Sequence, residues 1–568
     1  MISKKIFFYS LTLTAVVLFV TGCKKFLDVN KNTNDPTIVP VAILLTGAEL
    51  QIGQALAFSN DIQNGLSDGL SVYMHQQTTR EEADNYDIKG NDGIVENSWA
   101  KLHAAITDLD VIIKQATEEQ RFKYAGIAKI LKAYAFSQMV DVWGDIPFSE
   151  FNKFKEGVVQ PAFDDDKDIY PRLFAMIDEG IADINNPAAN TSVPATDDVI
   201  YSGNTGRWIK AANTIKLKLY TQIRKVQDVS TQVNALLATP ANLINAKEES
   251  FVIPFGTALL TDRHPGFYDY VATQRTQHVS PWFYEILKGI NPLYSGNADP
   301  RLPYYIYNQV TATGASPNTT EYRDGPFISI YFGSIGPNRN ASQQNAISVF
   351  GIYPVGGRYD NGLGGVASAA SGTGAAPQRL ITYADRLYLQ AELMNAGLVA
   401  GDARAVFNQA MAASMAQVDY IISAYVKPAQ TGIPQLMGAN GATPTAAVTT
   451  YINGVLALYD AGNTAKKLEH IITQKWLSSV GASIDQYTDY RRTGYPVLFD
   501  PQNPEHAPGG RAQPPVNGNI FVVPQPSVPV QRTNNFPLSL PWAQTELDLN
   551  GNAPAQKNPT TYKVFWMP

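Results

Sequence analysis

Cysteine is almost absent: the 568 residues contain one. A disulfide within the chain is therefore impossible, and a zinc or iron–sulfur centre built on cysteines is excluded. Histidine is nearly as scarce, with six residues, and no two stand at the spacing of a helical zinc pair. Charge is sparse at 17% and neither sign prevails, since 44 basic against 50 acidic residues leave a net −6. Duplex-binding proteins carry a basic face, so bulk charge gives nucleic acid no support. No GxSxG elbow, HExxH pair or Walker loop occurs. What is present is globular: 45% apolar residues over a length fit for two to four domains or one large helical array.

The longest apolar run is short. Residues 6–20 follow Lys4 and Lys5 and are diluted by Ser10, Thr12 and Thr14. A bilayer span needs about 20 apolar residues, so this run reads as a secretory signal peptide. The lone Cys23 lies where such a signal is cut, behind the small residues Thr21 and Gly22. That pattern resembles a bacterial lipoprotein box, in which the thiol forms a thioether to diacylglycerol. Three acyl chains at roughly 0.8 kcal/mol per buried methylene make such an anchor permanent. The expected product is a lipid-anchored protein. Residues 24–40 are polar with two prolines and suit an extended tether.

Helical periodicity dominates two regions. Residues 94–118 carry Trp99, Leu102, Ile106, Leu109 and Ile113 at three- and four-residue steps, which places them on one helix face. Residues 121–141 follow, and Ala125, Ala128 and Ala135 there let a neighbouring helix come close. A helix near 167–186 opens on the acids of 164–168, which suit the positive end of its dipole, and another spans 206–227. Residues 250–376 are rich in Gly, Pro, Asn, Ser and Tyr and predict loops, short strands and a short helix near 280–289. Helical periods return over 378–493. The expected organisation is a signal peptide (1–22), acylated tether (23–40), helical-repeat part (41–249), loop-rich part (250–376), second helical part (377–495) and proline-rich wrapping tail (496–568). Helix pairs on short links predict a mainly α, stacked helical-repeat body.

Motifs for chemistry are weak. Gly362-Leu363-Gly364-Gly365-Val366-Ala367 loosely fits a dinucleotide fingerprint but lacks the preceding strand and following helix. Asp164–Asp168 alternate like a calcium loop, yet Ile169 and Ala175 stand where glycine and glutamate are required, so a solvated helix start is expected. A glycosidase needs two carboxylates across a cleft, and nothing local singles out a pair among candidates such as Glu81, Glu82 and Glu285. No cofactor, metal site or catalytic residue is expected.

Seven segments in order carry a resemblance: CKKFLDVN at 23–30, VWGDIPFSE at 142–150, DVIYSGNTGRWIKAANTIKLKLY at 198–220, DPRLPYYIY at 299–307, ADRLYLQAELMNAG at 384–397, SIDQYTDYRRTGYP at 483–496 and LPWAQTELDLN at 540–550. Together they resemble the SusD/RagB family of outer-membrane nutrient-binding lipoproteins. The resemblance implies a tetratricopeptide-like helical-repeat superhelix with a loop-rich region on one side. It also implies a surface lipoprotein that lids a SusC-like TonB-dependent transporter and passes oligosaccharides, or in some members peptides, inward. Family residues for catalysis do not exist to be carried over. Locally, Gly144 and Pro147 predict the end of a helix at Trp143, Asp145 bonds in the following turn, and Arg491 and Arg492 suit ion pairs with Asp485 and Asp489.

Sugars offer weakly apolar C–H faces and many hydroxyls, so their sites need flat aromatic rings and planar polar groups on exposed loops. Two stretches qualify. The first, 73–86, carries Tyr73, His75, Gln76, Arg80 and Tyr86; the second, 264–284, carries His264, Tyr268, Arg275, Trp282 and Tyr284. From these, Tyr73, Gln76, Arg80, Tyr86, Tyr268, Arg275, Trp282 and Tyr284 are the ligand candidates. Consecutive helix residues step by about 100°, so Trp282, Phe283 and Tyr284 cannot share one core face, and at least one is exposed or covered by another loop. Trp99 and Trp208 are expected in the core. Two other classes remain open: a surface hydrolase on a helical scaffold, and a scaffold lipoprotein that binds no small ligand.

Overall fold

The structure is a computed structural model that describes residues 39–58, 65–80, 82–188, 192–272, 275–313, 322–334, 344–426, 432–500, 503, 506 and 534–568. The signal peptide, Cys23 and most of the tether lie outside the described residues.

Seven helices open the described body: α1 (Val41–Leu56), α2 (Leu66–Tyr73), α3 (Gly93–Glu118), α4 (Phe122–Trp143), α5 (Asp166–Ile184), α6 (Thr205–Ile223) and α7 (Ser230–Leu237). The short α8 (Pro281–Lys288) stands in the loop-rich middle. Then come α9 (Tyr383–Asn395), α10 (Ala403–Ile421), α11 (Ala446–Ala461), α12 (Thr464–Ser478), α13 (Ser483–Thr493) and, near the end, α14 (Gln544–Leu549). They pack as a tetratricopeptide-like helical array, α1 on α3, α3 on α4, α4 on α5, and α9 on α10 and α12. Among the described residues, strands form five two-stranded antiparallel ladders, most of them in the middle region.

Local chemistry sets the helix ends. Asp165 accepts from Lys167 N at the start of α5, and Asn204 accepts from Arg207 N at the start of α6. A reciprocal Thr382–Asp385 cap opens α9. At the other end, α4 stops at Trp143 because Gly144 turns the chain at φ 74°, as the Gly–Pro pattern predicts. The Asp145 carboxylate departs from expectation. It leaves its own turn and accepts from Asp166 N at the head of α5, 2.9 Å away.

Helix α4 is buried on nearly every side, which explains its mixture of small and apolar residues all round. Its small positions admit α5. A Cβ on Gly126 would lie 2.5 Å from the Gly180 carbonyl oxygen, and one on Gly180 would lie 2.8 Å from that of Gly126. Gly126→Ala gains about 1 kcal/mol of helix propensity but forces two rigid backbones apart, an overpacking cost of about 1–3 kcal/mol. We expect the clash to win and urea denaturation to show a net loss of stability.

The C-terminal residues close the ends of α4 and α5. Leu540 N donates to Val142 O, Trp542 Nε1 to Asp145 O, and the buried Trp566 Nε1 to Asp141 Oδ1. Arg492 does pair with Asp489 at 2.8 Å. Arg491 does not join it: its guanidinium donates to the Leu538 and Asp141 carbonyls, while Asp485 pairs with Lys218 at 2.8 Å. No helix among the described residues is long and apolar enough to cross a membrane.

Candidate ligand-binding cleft

The two aromatic stretches meet. Residues 77–79 pair antiparallel with 277–279, Thr78 opposite His278. Most of the expected ligand residues nevertheless turn inward, and this corrects the reading of them as an exposed platform. Tyr73 is buried; its hydroxyl accepts from Ile88 N and its ring packs edge-on to Tyr86. Tyr86 in turn bonds His75 Nε2 at 2.7 Å. Gln76 donates to Trp476 O at 2.8 Å and accepts from Gln486. Arg275 is buried, with its guanidinium on the Asp269 and Ala367 carbonyls. Arg80 is partly buried, and its backbone N–H donates to Thr276 O.

The three aromatic residues of α8 are all covered, each by a different segment. Trp282 Nε1 donates to Val497 O at 3.0 Å, Phe283 meets Trp476 edge-on, and Tyr284 stacks on Phe327 with centroids 3.7 Å apart. The Tyr284 hydroxyl also donates to Asp324 Oδ2. A helix with aromatics on several faces here means several neighbours, not an open surface.

Tyr268 is different: it is 52% exposed. It belongs to the short 3-10 helix Pro265–Tyr270, which the sequence builds locally. Pro265 fixes the entry, and His264 Nδ1 accepts from Gly266 N at 3.0 Å. Gly266 has no room for a side chain, because a Cβ would lie 2.7 Å from Val355 and 2.8 Å from Phe58. Phe267 and Tyr270 stack at 4.9 Å with planes 4° apart, and the Tyr270 hydroxyl donates to Phe350 O while accepting from Arg358 N. Anchored on both sides, the turn holds Tyr268 out towards solvent.

The ring borders a cleft of about 360 Å³. One wall is Tyr268, Phe267, Phe255 and Leu260 from the loop-rich region; the other is Gln54 near the end of α1 and Lys101 in the third turn of α3. Arg263 lines the cleft as well, its guanidinium 5.2 Å above the Phe267 ring and Nη1 on Ala369 O. Burial, with Arg379 nearby, pushes the His264 imidazole down to about 3, so it is neutral at physiological pH. Burial also lowers the Lys101 ammonium. The volume falls at the small end for ligand sites. Aromatic and aliphatic faces beside amide, ammonium and guanidinium donors suit C–H surfaces and hydroxyl oxygens together.

Other hollows are less suited. A groove of about 560 Å³ runs along α5 and α6, but its rings Phe174 and Tyr220 stack on each other at 4.1 Å. A hollow of about 350 Å³ beside α3 and α14 has Trp99 in its wall, and that ring is 5% exposed, packed on Trp143. Asp145, Asp165 and Asp166 are close enough to share a cation. Each already accepts a backbone N–H, from Asp166, Lys167 and Phe565, and burial raises Asp166 to about 7. The Gly362–Gly365 segment is a loop with left-handed glycines, not a strand-to-helix turn. Glu285 is buried and accepts from the Tyr322 hydroxyl.

Gln54, Lys101, Phe255, Leu260 and Arg263 were not among the expected ligand residues. The adjacent exposed leucines Leu259 and Leu260 are a signal for the loop side of the cleft, and nothing local marks Gln54 or Lys101.

Comparison with known proteins bears on the whole chain. The SusD-like family, described as starch-binding and associating with the outer membrane, matches residues 33–515. A comparison with curated proteins finds no match. Among solved structures, a chitin-binding protein superposes with a TM-score of 0.64 at 20% identity, covering 93% of this chain and 100% of that one. A SusD homologue from Bacteroides fragilis gives 0.62 at 20% identity over 90% and 94% of the two chains. A chitin-binding SusD homologue from Flavobacterium johnsoniae gives 0.62 at 18% identity over 93% and 98%. At these identities the structures show a shared fold.

Proposed function

Since the chain belongs to the SusD-like family, we propose that it captures glycans at the outer-membrane surface and delivers them to a SusC-like TonB-dependent transporter. Cys23 is the lipidation site that anchors it there, and the loop-rich part, 250–376, presents the ligand face. The observation that carries the reading is the outward ring of Tyr268, held by the Phe267–Tyr270 stack at the mouth of the cleft. A sugar laid on that ring reaches Gln54 and Arg263 with its hydroxyls. Two of the structural relatives are described as chitin-binding, which puts β-linked amino-sugar chains among the ligands to be tested. The role is binding rather than catalysis. Hydrolysis of a glycosidic bond calls for two carboxylates flanking the bond, and the described lining of the cleft holds none.

The test is calorimetric titration of the purified chain with chito- and malto-oligosaccharides. Tyr268→Ala removes the stacking face and should weaken binding about tenfold, the value of one aromatic contact. Unchanged affinity in that variant would move the ligand to another surface. Saturable binding by none of them, alone or with the transporter, would favour a scaffold role.

A further inference from the structure

The cleft carries an imbalance of charge. Lys101 and Arg263 both line it, and among the described residues no carboxylate does. The chain as a whole carries acidic and basic residues in near balance, with a net charge of −6, so a purely cationic lining is not the average of its surface. The two lysines buried among the described residues are compensated: Lys475 has Asp489 at 2.7 Å and Lys218 has Asp485 at 2.8 Å. Among the described residues Lys101 has neither a carboxylate nor a carbonyl partner, although it is partly buried. Its helix offers no remedy, because Asp108, two turns on, accepts from Gln51. The nearest acid in the loop, Asp262, is tied to its own turn through Leu259 N. Arg263 spends one N–H on Ala369 O, and its Nε has no partner.

A partly desolvated ammonium without a counter-charge is a standing cost in the empty cleft. A neutral sugar would desolvate it further and accept its hydrogen bonds without supplying a counter-charge. A carboxylate supplies the opposite charge as well and can engage a guanidinium in two parallel contacts. Resting on the glycan-capture reading, we infer that the preferred ligand is an acidic oligosaccharide, a uronate-containing chain whose ring lies on Tyr268 and whose carboxylate meets Lys101 and Arg263.

The test titrates the full-length purified chain with tetragalacturonate and with the methyl ester of the same tetrasaccharide, which differ only in the acid groups. The acid should bind about tenfold tighter or better. The preference should shrink when salt rises from about 0.05 to about 0.5 M. It should vanish in Lys101→Met and in Arg263→Gln and survive in Lys101→Arg, which separates charge from folding. Equal affinity for acid and ester, or a preference that persists in Lys101→Met, overturns the inference. If neutral chito- or malto-oligosaccharides then bind in a Tyr268-dependent way, glycan capture stands and the acidic ligand alone is lost. If no carbohydrate of either kind binds, both readings fall.

Discussion

Arg492→Met is expected to cost the fold about 3–5 kcal/mol, because it strands a buried carboxylate. Arg492 and Glu392 are both fully enclosed. Arg492 reaches Glu392 with both terminal nitrogens and Asp489 with one, and Asp489 accepts from Lys475 at 2.7 Å. Arg224, just past α6, closes the group onto Glu392 at 2.6 Å. Four helical segments, α6, α9, α12 and α13, are thereby tied at one point. Methionine matches the volume but leaves Glu392 with half its counter-charge. The same group sets an acid limit. Burial alone would raise the Glu392 carboxyl, but the Arg492 and Arg224 guanidiniums override it and hold it down to about 2. A depressed folded value means the stabilisation is complete above about 4.5 and is lost as pH falls towards 2. Denaturant titrations of native and Arg492→Met chains should therefore differ most near neutrality and converge in acid. A constant difference across that range would mean that the cost is one of packing.

The helices are legible because their evidence is local. The period of Trp99, Leu102, Ile106 and Leu109 makes α3, and Gly144 ends α4, within windows a reader can see. The close approach at Gly126 follows from small residues in one stretch. The site is legible in region and not in residues. Aromatic and planar polar side chains are what a sugar platform needs, but they are equally what a buried polar network needs. Gln76 finds the Trp476 carbonyl 400 positions away, and nothing in residues 73–86 announces that partner. Tyr268 escapes burial because its neighbours Phe267 and Tyr270 stack with each other and take the inward places. Lys101, two positions from Trp99 on an amphipathic helix, reads as a solvated residue. Only the docking of the loop around Leu260 turns it into part of a cleft. The ionic group at Glu392 has the same character, since Arg224, Glu392 and Arg492 come from three separate stretches.

Asp198→Ala should cost on the order of 4 kcal/mol, since several buried donors lose their acceptor at about 1–3 kcal/mol each. The Asp198 carboxylate gathers Ile200 N, Tyr201 N, Gly203 N and Trp208 Nε1 at 2.7–3.1 Å, and so shapes the turn that leads into α6. The turn has no slack, for Gly203 sits at φ +76° with the Pro194 carbonyl where a Cβ would be. Beside it Glu49, buried on α1, accepts from Val199 N at 2.8 Å. Burial first, and then the Asp198 charge, raise the Glu49 carboxyl well above its usual value. A raised folded value puts the full contribution below about pH 4.5 and removes it as pH rises towards that value. Glu49→Gln keeps an acceptor for Val199 N and abolishes the titration. Its stability relative to the native chain should climb between pH 5 and pH 8, while Asp198→Ala stays below the native chain throughout. Chemical denaturation at the two pH values separates the cases. If Glu49→Gln lost stability at pH 8 as Asp198→Ala does, Glu49 would be acting as a charged partner of that turn, against the raised value.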